Sequence, residues 1–247
     1  MSLYVLDFDG VICDSAVETA ITGWKVAQQL WDDMPKELPH HTQIQQFRHV
    51  RPYLETGYEA ILIMRWIEQK KDTATLCQNY HLLMQQTLED NQLQINELKK
   101  LFGQARDQWI AKNRDEWLSM NPLFDGIANA LKRLENKIWY IITTKQQRFV
   151  SQILQANNIS LDKAYIYGME KQQSKQQSLQ AIQKQQANNK IIFIEDRLAT
   201  LTAIQENPTL NDITLQLVSW GYNTEEDKKL ARQRGIEVIA ELFVEIV

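Results

Sequence analysis

Asp7 and Asp9 stand two residues apart at the end of an apolar run, in the stretch Leu6-Asp7-Phe8-Asp9-Gly10-Val11-Ile12-Cys13-Asp14. Met1 to Phe8 has the short, β-rich pattern of a buried strand, and Gly10 marks the turn that follows it. Residues two apart on a strand point to the same side, so the two carboxylates can converge on one small ligand. In an open parallel sheet, ligands collect beyond the carboxyl ends of strands, which is where both acids fall. A plain Asp-x-Asp-Gly turn and a calcium loop are the competing readings. A calcium loop counted from Asp7 does end on an acid, Glu18, but its fifth position is Val11 and its glycine comes two places early.

The elements that must position this pair fall into two textures. Residues 15–118 show recurring amphipathic patterns, such as Ala60 to Ile67 and Leu76 to Leu88, and almost no strand-like run. Ser15-Ala16-Val17-Glu18 has the spacing of a capping box at a helix start. Leu93 to Leu118 reads as one long helix that Gly103 can break. After Pro122 the pattern alternates, with strand-like runs at Ile138 to Ile142, Ala164 to Tyr167, Ile191 to Ile194, Leu215 to Val218 and Ile236 to Ile239. Such alternation predicts an α/β fold with a Rossmann-like parallel sheet and helices on both faces. The opening strand belongs to that sheet, because a lone strand cannot satisfy its backbone groups or bury both faces. The expected division is therefore a core of residues 1–14 and 119–247, with residues 15–118 as an all-helical insertion.

Asp7-Phe8-Asp9-Gly10-Val11 followed by Asp14-Ser15 resembles, without a gap, the opening motif of the haloacid dehalogenase-like hydrolase superfamily. The helical insertion after that motif is similar to the cap domain of phosphoglycolate phosphatase-like members. The resemblance implies that Asp7 attacks phosphorus to give an aspartyl-phosphate and that Asp9 acts as general acid and then base. Both roles suit carboxylates. An acid at position 9 favours phosphoryl transfer over dehalogenation, since a halide leaving group needs no proton.

The same resemblance directs attention to the ends of the later strands. Ile141-Ile142-Thr143-Thr144-Lys145 is similar to the second motif, which implies that Thr143 hydrogen-bonds a phosphoryl oxygen and that Thr144 and Lys145 contact substrate. Lys175 is the expected third-motif lysine; it follows Ser174 in a second capping-box pattern, and Lys171 is its competitor. Ile191 to Ile194 running into Glu195-Asp196 resembles the fourth motif. It implies a Mg²⁺ ion held by Asp7, Asp9 through its main-chain carbonyl and Asp196, with Glu195 bound directly or through water. Magnesium prefers oxygen ligands and keeps waters, so a few carboxylates suffice. Thr200 stands where the commoner Gly-Asp form of the motif carries a further acid.

The resemblance thus implies a magnesium-dependent phosphatase for a small phosphorylated metabolite. A phosphomutase of the β-phosphoglucomutase type and a non-enzymatic member that uses its helices as a protein-binding surface are the alternatives. Substrate choice is expected from the helical insertion, where Arg48, Arg51, Tyr53 and Tyr58 gather around Pro52 and Gly57, and Arg51 is the candidate substrate ligand. Cys77 and His81 have the spacing of two metal ligands on one helical face, but no second pair accompanies them.

Composition bounds these expectations. With 247 residues, 44% hydrophobic and 23% charged, the chain can bury a full core. A net charge of -4 provides no basic field for nucleic acid. Two cysteines make no disulfide framework, which points to a reducing, cytoplasmic setting. No run is long and apolar enough to span a bilayer, and Met1 leads straight into the first strand, leaving no room for a signal peptide. Oligomeric state is left open. Gln pairs such as Gln172-Gln173 and Gln185-Gln186 read as compositional bias on exposed helix faces.

Overall fold

A computed structural model describes residues 2–243. Six strands pair in parallel as one sheet: β1 (Ser2–Leu6), β2 (Trp139–Ile142), β3 (Ile166–Tyr167), β4 (Lys190–Glu195), β5 (Thr214–Val218) and β6 (Glu237–Ile239). Their order is β3-β2-β1-β4-β5-β6. The helices between β1 and β2 are α1 (Ala16–Leu30), α2 (His41–Val50), α3 (Glu59–Glu68), α4 (Thr73–Gln78), α5 (Tyr80–Asp90), α6 (Ile95–Lys112), α7 (Arg114–Ser119) and α8 (Ile127–Lys132). Later helices alternate with strands: α9 (Gln147–Ala156), α10 (Lys175–Gln185), α11 (Leu198–Gln205) and α12 (Glu225–Gln233).

β1 lies between β2 and β4, and Val5 and Leu6 are wholly buried, as a strand covered on both faces requires. From β1 the chain adds β2 and β3 on one side, then returns to lay β4, β5 and β6 on the other. The order therefore reverses between β1 and β4. Such a switch point leaves a crevice outside the carboxyl ends of the two strands. The register brings Leu6 opposite both Ile141 of β2 and Ile194 of β4. Leu3, Val5, Tyr140, Ile142, Phe193 and Leu217 of the strands share one apolar cluster with Leu179 and Ile182 of α10 and Leu201 and Ile204 of α11. Burial of each such Leu, Ile or Phe side chain contributes about 1.5–3 kcal/mol. The strand expected over 164–167 shortens to β3. Asp162 accepts from the Ala164 N–H at 2.8 Å and closes a 3-10 turn over Lys163–Tyr165 instead.

The chain divides into two compact units, Met1–Asp14 with Pro122–Val247, and Ser15–Asn121. Ser119 to Asn121 side with the helices: the Asn121 side-chain amide donates to the Trp117 carbonyl at 2.8 Å.

Within the helical unit α3 is apolar nearly all round, and residues 60–64 with Trp66 and Ile67 are buried. α1 approaches α3 so closely that a Cβ on Gly23 would lie 2.6 Å from the Ala60 carbonyl. Glu18 does not close a capping box with Ser15, as its spacing predicts. Its carboxylate turns inward to a two-pronged pair with Arg106, Nε to Oε1 and Nη2 to Oε2, both 2.7 Å. Thr22 (2.7 Å) and the Trp117 indole (3.2 Å) donate to the same Oε1. A buried guanidinium needs a counter-charge more than a helix end needs a side-chain cap. Arg106→Met is expected to leave Glu18 stranded and cost about 3–5 kcal/mol, read as a lowered urea midpoint.

Two expected helices are broken where asparagine offers local hydrogen bonds. The pattern from Leu76 to Leu88 divides between α4 and α5 at Asn79, whose side chain donates back to the Thr75 carbonyl at 3.2 Å. The long helix breaks at Asn113, not at Gly103. Asn113 is extended (φ -156°) and its side-chain oxygen caps α7 by accepting from the Glu116 N–H at 3.1 Å, whereas Gly103 is buried inside α6.

Glu59, at the start of α3, is buried and accepts from the Thr56 N–H (2.8 Å), the Glu55 N–H (3.2 Å) and the Tyr80 hydroxyl. Burial outweighs these bonds and holds its carboxyl above its ordinary 4.5. Its contribution to stability is therefore full below that ordinary value and is lost as pH rises through the raised one. Glu59→Gln is expected to flatten this decline, measured as unfolding free energy from about pH 4 to 8.

Candidate active site

Asp7 lies one residue beyond β1, and its N–H donates to the Ile194 carbonyl at 2.9 Å, so the β1–β4 ladder continues into the loop and fixes the acid against the end of β4. Glu195 closes β4 and Asp196 follows it. All three carboxylates are buried, and they offer oxygens that lie within 4.8 Å of one another. Lys175 enters this cluster from the first turn of α10, where Ser174 and Gln177 form the expected capping box. Its Nζ lies 2.9 Å from Asp7 Oδ1 and 2.6 Å from Glu195 Oε2. Lys171, by contrast, is exposed, with its Nζ 5.3 Å from the Tyr167 ring centroid.

The electrostatics follow from burial. Desolvation first, then the charge of Glu195, pushes the Asp7 carboxyl up to about 7 against the opposing pull of Lys175. Burial also pulls the Lys175 ammonium down, but Asp7 and Glu195 outweigh it and hold the lysine above its usual range. For Glu195 burial is again the largest influence and acts upward. Lys175 and the Asp196 group together overcome it, and its carboxyl lies below the usual range. Glu195 is well furnished with donors: Oε2 takes Lys175 Nζ, and Oε1 accepts the N–H groups of Asp196 and Arg197, both at 3.1 Å. Asp7 Oδ1 differs. It is buried, ion-paired with Lys175, and receives no donor in hydrogen-bond geometry among the described residues.

Asp196 is held by two glycines and a loop. Its Oδ2 accepts the Tyr222 N–H at 2.8 Å, and a Cβ on Gly10 (φ +95°) would lie 2.0 Å from that same oxygen. A Cβ on Gly221 would lie 2.3 Å from the Asp196 Cβ and 2.6 Å from the Gly10 carbonyl. Asn223 donates to the Asp196 carbonyl (2.9 Å) and the Val218 carbonyl (2.8 Å). The Tyr222 hydroxyl reaches Asp14 at 2.8 Å, and the Trp220 indole reaches the Val11 carbonyl at 3.1 Å. Residues 220–223 thus tie the loop after β1 to the end of β4. The sequence reading assigned them nothing, although a glycine between two aromatics just past a strand is a signal of close backbone approach. Gly221→Ala is expected to displace Asp196 and lower the turnover number about 10²-fold with the sheet intact, checked by steady-state kinetics beside circular dichroism.

Thr143 follows β2, at the neighbouring strand end. Its N–H donates to the Tyr167 carbonyl (3.0 Å), and its hydroxyl accepts the Lys145 N–H (3.1 Å), which leaves the hydroxyl proton to donate elsewhere. Thr144 is half-buried beside it. Lys145 Nζ sits 2.8 Å from Asp9 Oδ1. Asp7, Asp9, Thr143, Thr144, Lys145, Lys175, Glu195 and Asp196 therefore all belong to the sheet unit. Arg51 belongs to the helical unit, where it is buried and its Nη1 donates to the Leu54 carbonyl at 3.2 Å.

An all-oxygen cluster at the reversal point of a doubly wound sheet defines the class of site: an acid-lined crevice with a lysine at its base. The chain belongs to the haloacid dehalogenase-like hydrolase family, whose model matches residues 1–206. Among solved structures it is similar to a predicted phosphoglycolate phosphatase from Haemophilus somnus, with 13% identity over 96% of this chain and 92% of that one and a TM-score of 0.59. A haloacid dehalogenase-like family hydrolase from Streptococcus pneumoniae shares 18% identity over 98% and 94% of the two chains, with a TM-score of 0.53. A predicted phosphatase from Clostridium acetobutylicum shares 16% over 97% and 94%, also at 0.53. These likenesses show the fold. No curated protein matches the chain. No helix among the described residues is long and apolar enough to cross a membrane.

Proposed function

We propose that the protein is a magnesium-dependent phosphatase of small phosphorylated metabolites, acting through an aspartyl-phosphate on Asp7. The observation that carries this reading is the meeting of Asp7, Lys175, Glu195 and Asp196 at the switch point between β1 and β4, with the carboxylate oxygens within 4.8 Å. The similarity in fold to a predicted phosphatase and a predicted phosphoglycolate phosphatase supports it.

The donor set suits a hard divalent cation. The donors are all oxygens, and three carboxylates are buried together at a cost in repulsion that one lysine only partly offsets. Asp7, Asp196 and the main-chain carbonyl of Asp9 would hold Mg²⁺. Glu195 keeps one acceptor site after Lys175 and two N–H groups, and would reach the ion directly or through a water. When bound, the ion supplies charge neutralisation to the phosphoryl group and to the acids around it.

The protein's own groups do the rest. Asp7 Oδ attacks phosphorus in line while the bond to the leaving oxygen breaks, and Asp9 gives that oxygen a proton. Asp9 then takes a proton from the water that attacks the acyl phosphate, which returns Asp7 and releases inorganic phosphate. The Thr143 hydroxyl donates to a phosphoryl oxygen, Thr144 borders the same position, and Lys175 balances charge on Asp7 as the phosphoryl group arrives. Ser15–Asn121 serves as the cap that selects the leaving group, Arg51 being the candidate named by sequence. Cys13 and Cys77, which form no disulfide, suit a cytoplasmic setting.

A panel of phosphate esters with Mg²⁺, read by phosphate release, tests the proposal. Release from small phosphorylated metabolites is expected. An isomerised sugar phosphate with little phosphate would make the protein a phosphomutase, and no turnover of any ester would overturn the enzymatic reading.

A further inference from the structure

Lys145 places a second cation in the site, apart from the one beside Asp7. Its side chain is 1% exposed, and its Nζ lies 2.8 Å from Asp9 Oδ1. The backbone on either side is tied: its N–H donates to the Thr143 hydroxyl at 3.1 Å, and its carbonyl accepts the Met169 N–H at 3.1 Å. The Phe8 ring centroid is 5.9 Å from Nζ. An ammonium enclosed in this way needs a counter-charge where it stands and cannot swing out to follow an incoming anion. Asp9 has the opposite character. It lies in the turn after β1, next to Gly10 at φ +95°, with its side chain 17% exposed. A charge-assisted bond to one oxygen of a short acid adds directional restraint to its carboxylate plane.

We propose that Lys145 is a positioning residue for Asp9, not a substrate ligand: by taking Oδ1 it fixes the plane of the carboxylate and so the place from which Asp9 exchanges a proton with the leaving oxygen and the hydrolytic water. The inference rests on the phosphatase reading, in which Asp9 is the proton-transferring acid. It separates two lysines by task, Lys175 facing the nucleophile and Lys145 facing the acid-base group. It also corrects the sequence expectation for Lys145, whose neighbours Thr143 and Thr144 border the phosphoryl position while its own side chain turns to Asp9.

A double-mutant cycle with Lys145→Met and Asp9→Asn tests this, using an ester the wild-type protein turns over and inorganic phosphate as inhibitor. Lys145→Met is expected to lower kcat about 10–100-fold while KM and the phosphate inhibition constant stay within about twofold. In the Asp9→Asn background the same change is expected to cost less than about twofold, since the group it positions is gone. Lys145→Arg should keep more activity than Lys145→Met. An equal loss in both backgrounds, or a phosphate constant weakened about tenfold with kcat kept, would overturn the positioning role and restore Lys145 to the substrate. If Lys145→Met does not fold, Lys145→Arg decides: retained phosphate affinity supports the proposal and weakened affinity overturns it. A wild-type protein that hydrolyses no ester overturns the phosphatase reading and this inference together, whereas an active protein with an additive cycle overturns this inference alone.

Discussion

Asp7→Asn is expected to lower phosphate release by roughly ten-thousandfold or more, because on the proposed covalent mechanism the amide cannot form the acyl phosphate. The loss should fall on kcat, and no phosphorylated protein should be trapped by acid quench. Folding should survive. Asn keeps the size of Asp, and the neutral side chain removes repulsion from Glu195, which together with burial raises the Asp7 carboxyl to about 7. The thermal midpoint of the metal-free variant is therefore expected to equal or exceed that of the wild type, so that activity and stability move in opposite directions. Full activity in Asp7→Asn would remove the covalent mechanism.

The second large effect concerns Asp196 and the cation. Three buried carboxylates within 4.8 Å should bind Mg²⁺ strongly enough to stabilise the fold, by about 2.7 kcal/mol at a hundredfold excess over Kd. For a chain of this size that is an upward shift in thermal midpoint on the order of 5–10 °C. Asp196→Asn is expected to abolish most of the shift and to lower activity at least about 10²-fold. Asn can still present an oxygen to the Tyr222 N–H, which donates the wild-type bond at 2.8 Å, so the loop after β5 should stay in place. An unchanged Mg²⁺-dependent shift in the variant, with activity kept, would exclude Asp196 as a ligand. Chelation of the wild-type protein should reproduce the variant, and added Mg²⁺ should restore only the wild type.

Much of this site is written in short segments of the sequence because each segment is a strand end. An apolar run that stops at an acid or a threonine shows where the sheet ends and the crevice begins, and Asp7, Thr143 and Glu195-Asp196 all carry that mark. The parallel sheet was legible for the same reason, through the alternation after Pro122. What stayed hidden depends on partners far away in the chain. Glu18 has capping-box spacing but turns to Arg106 instead, a pairing no local pattern contains. Lys145 pairs with Asp9, 136 residues earlier, which no local pattern predicts. Glu195 also pairs with Lys175, 20 residues earlier in the chain, a contact no local pattern contains. The aromatic loop at residues 220–223 matters through close backbone approach, which only the space around Gly10 and Gly221 reveals. Helix breaks at Asn79 and Asn113 were missed because side-chain hydrogen bonds, not glycine, end those helices.

The pairing of Leu6 with both Ile141 and Ile194 carries a consequence for how the molecule is made. β1, which leads into Asp7, is synthesised before the helical insertion, yet both of its neighbours are synthesised only after it. Ser15–Asn121 is one continuous stretch with contacts of its own and can begin to fold while β1 waits, whereas the sheet must close a long loop before any of its central contacts form. Assembly of the crevice at the β1–β4 switch point is thus a late and highly non-local event.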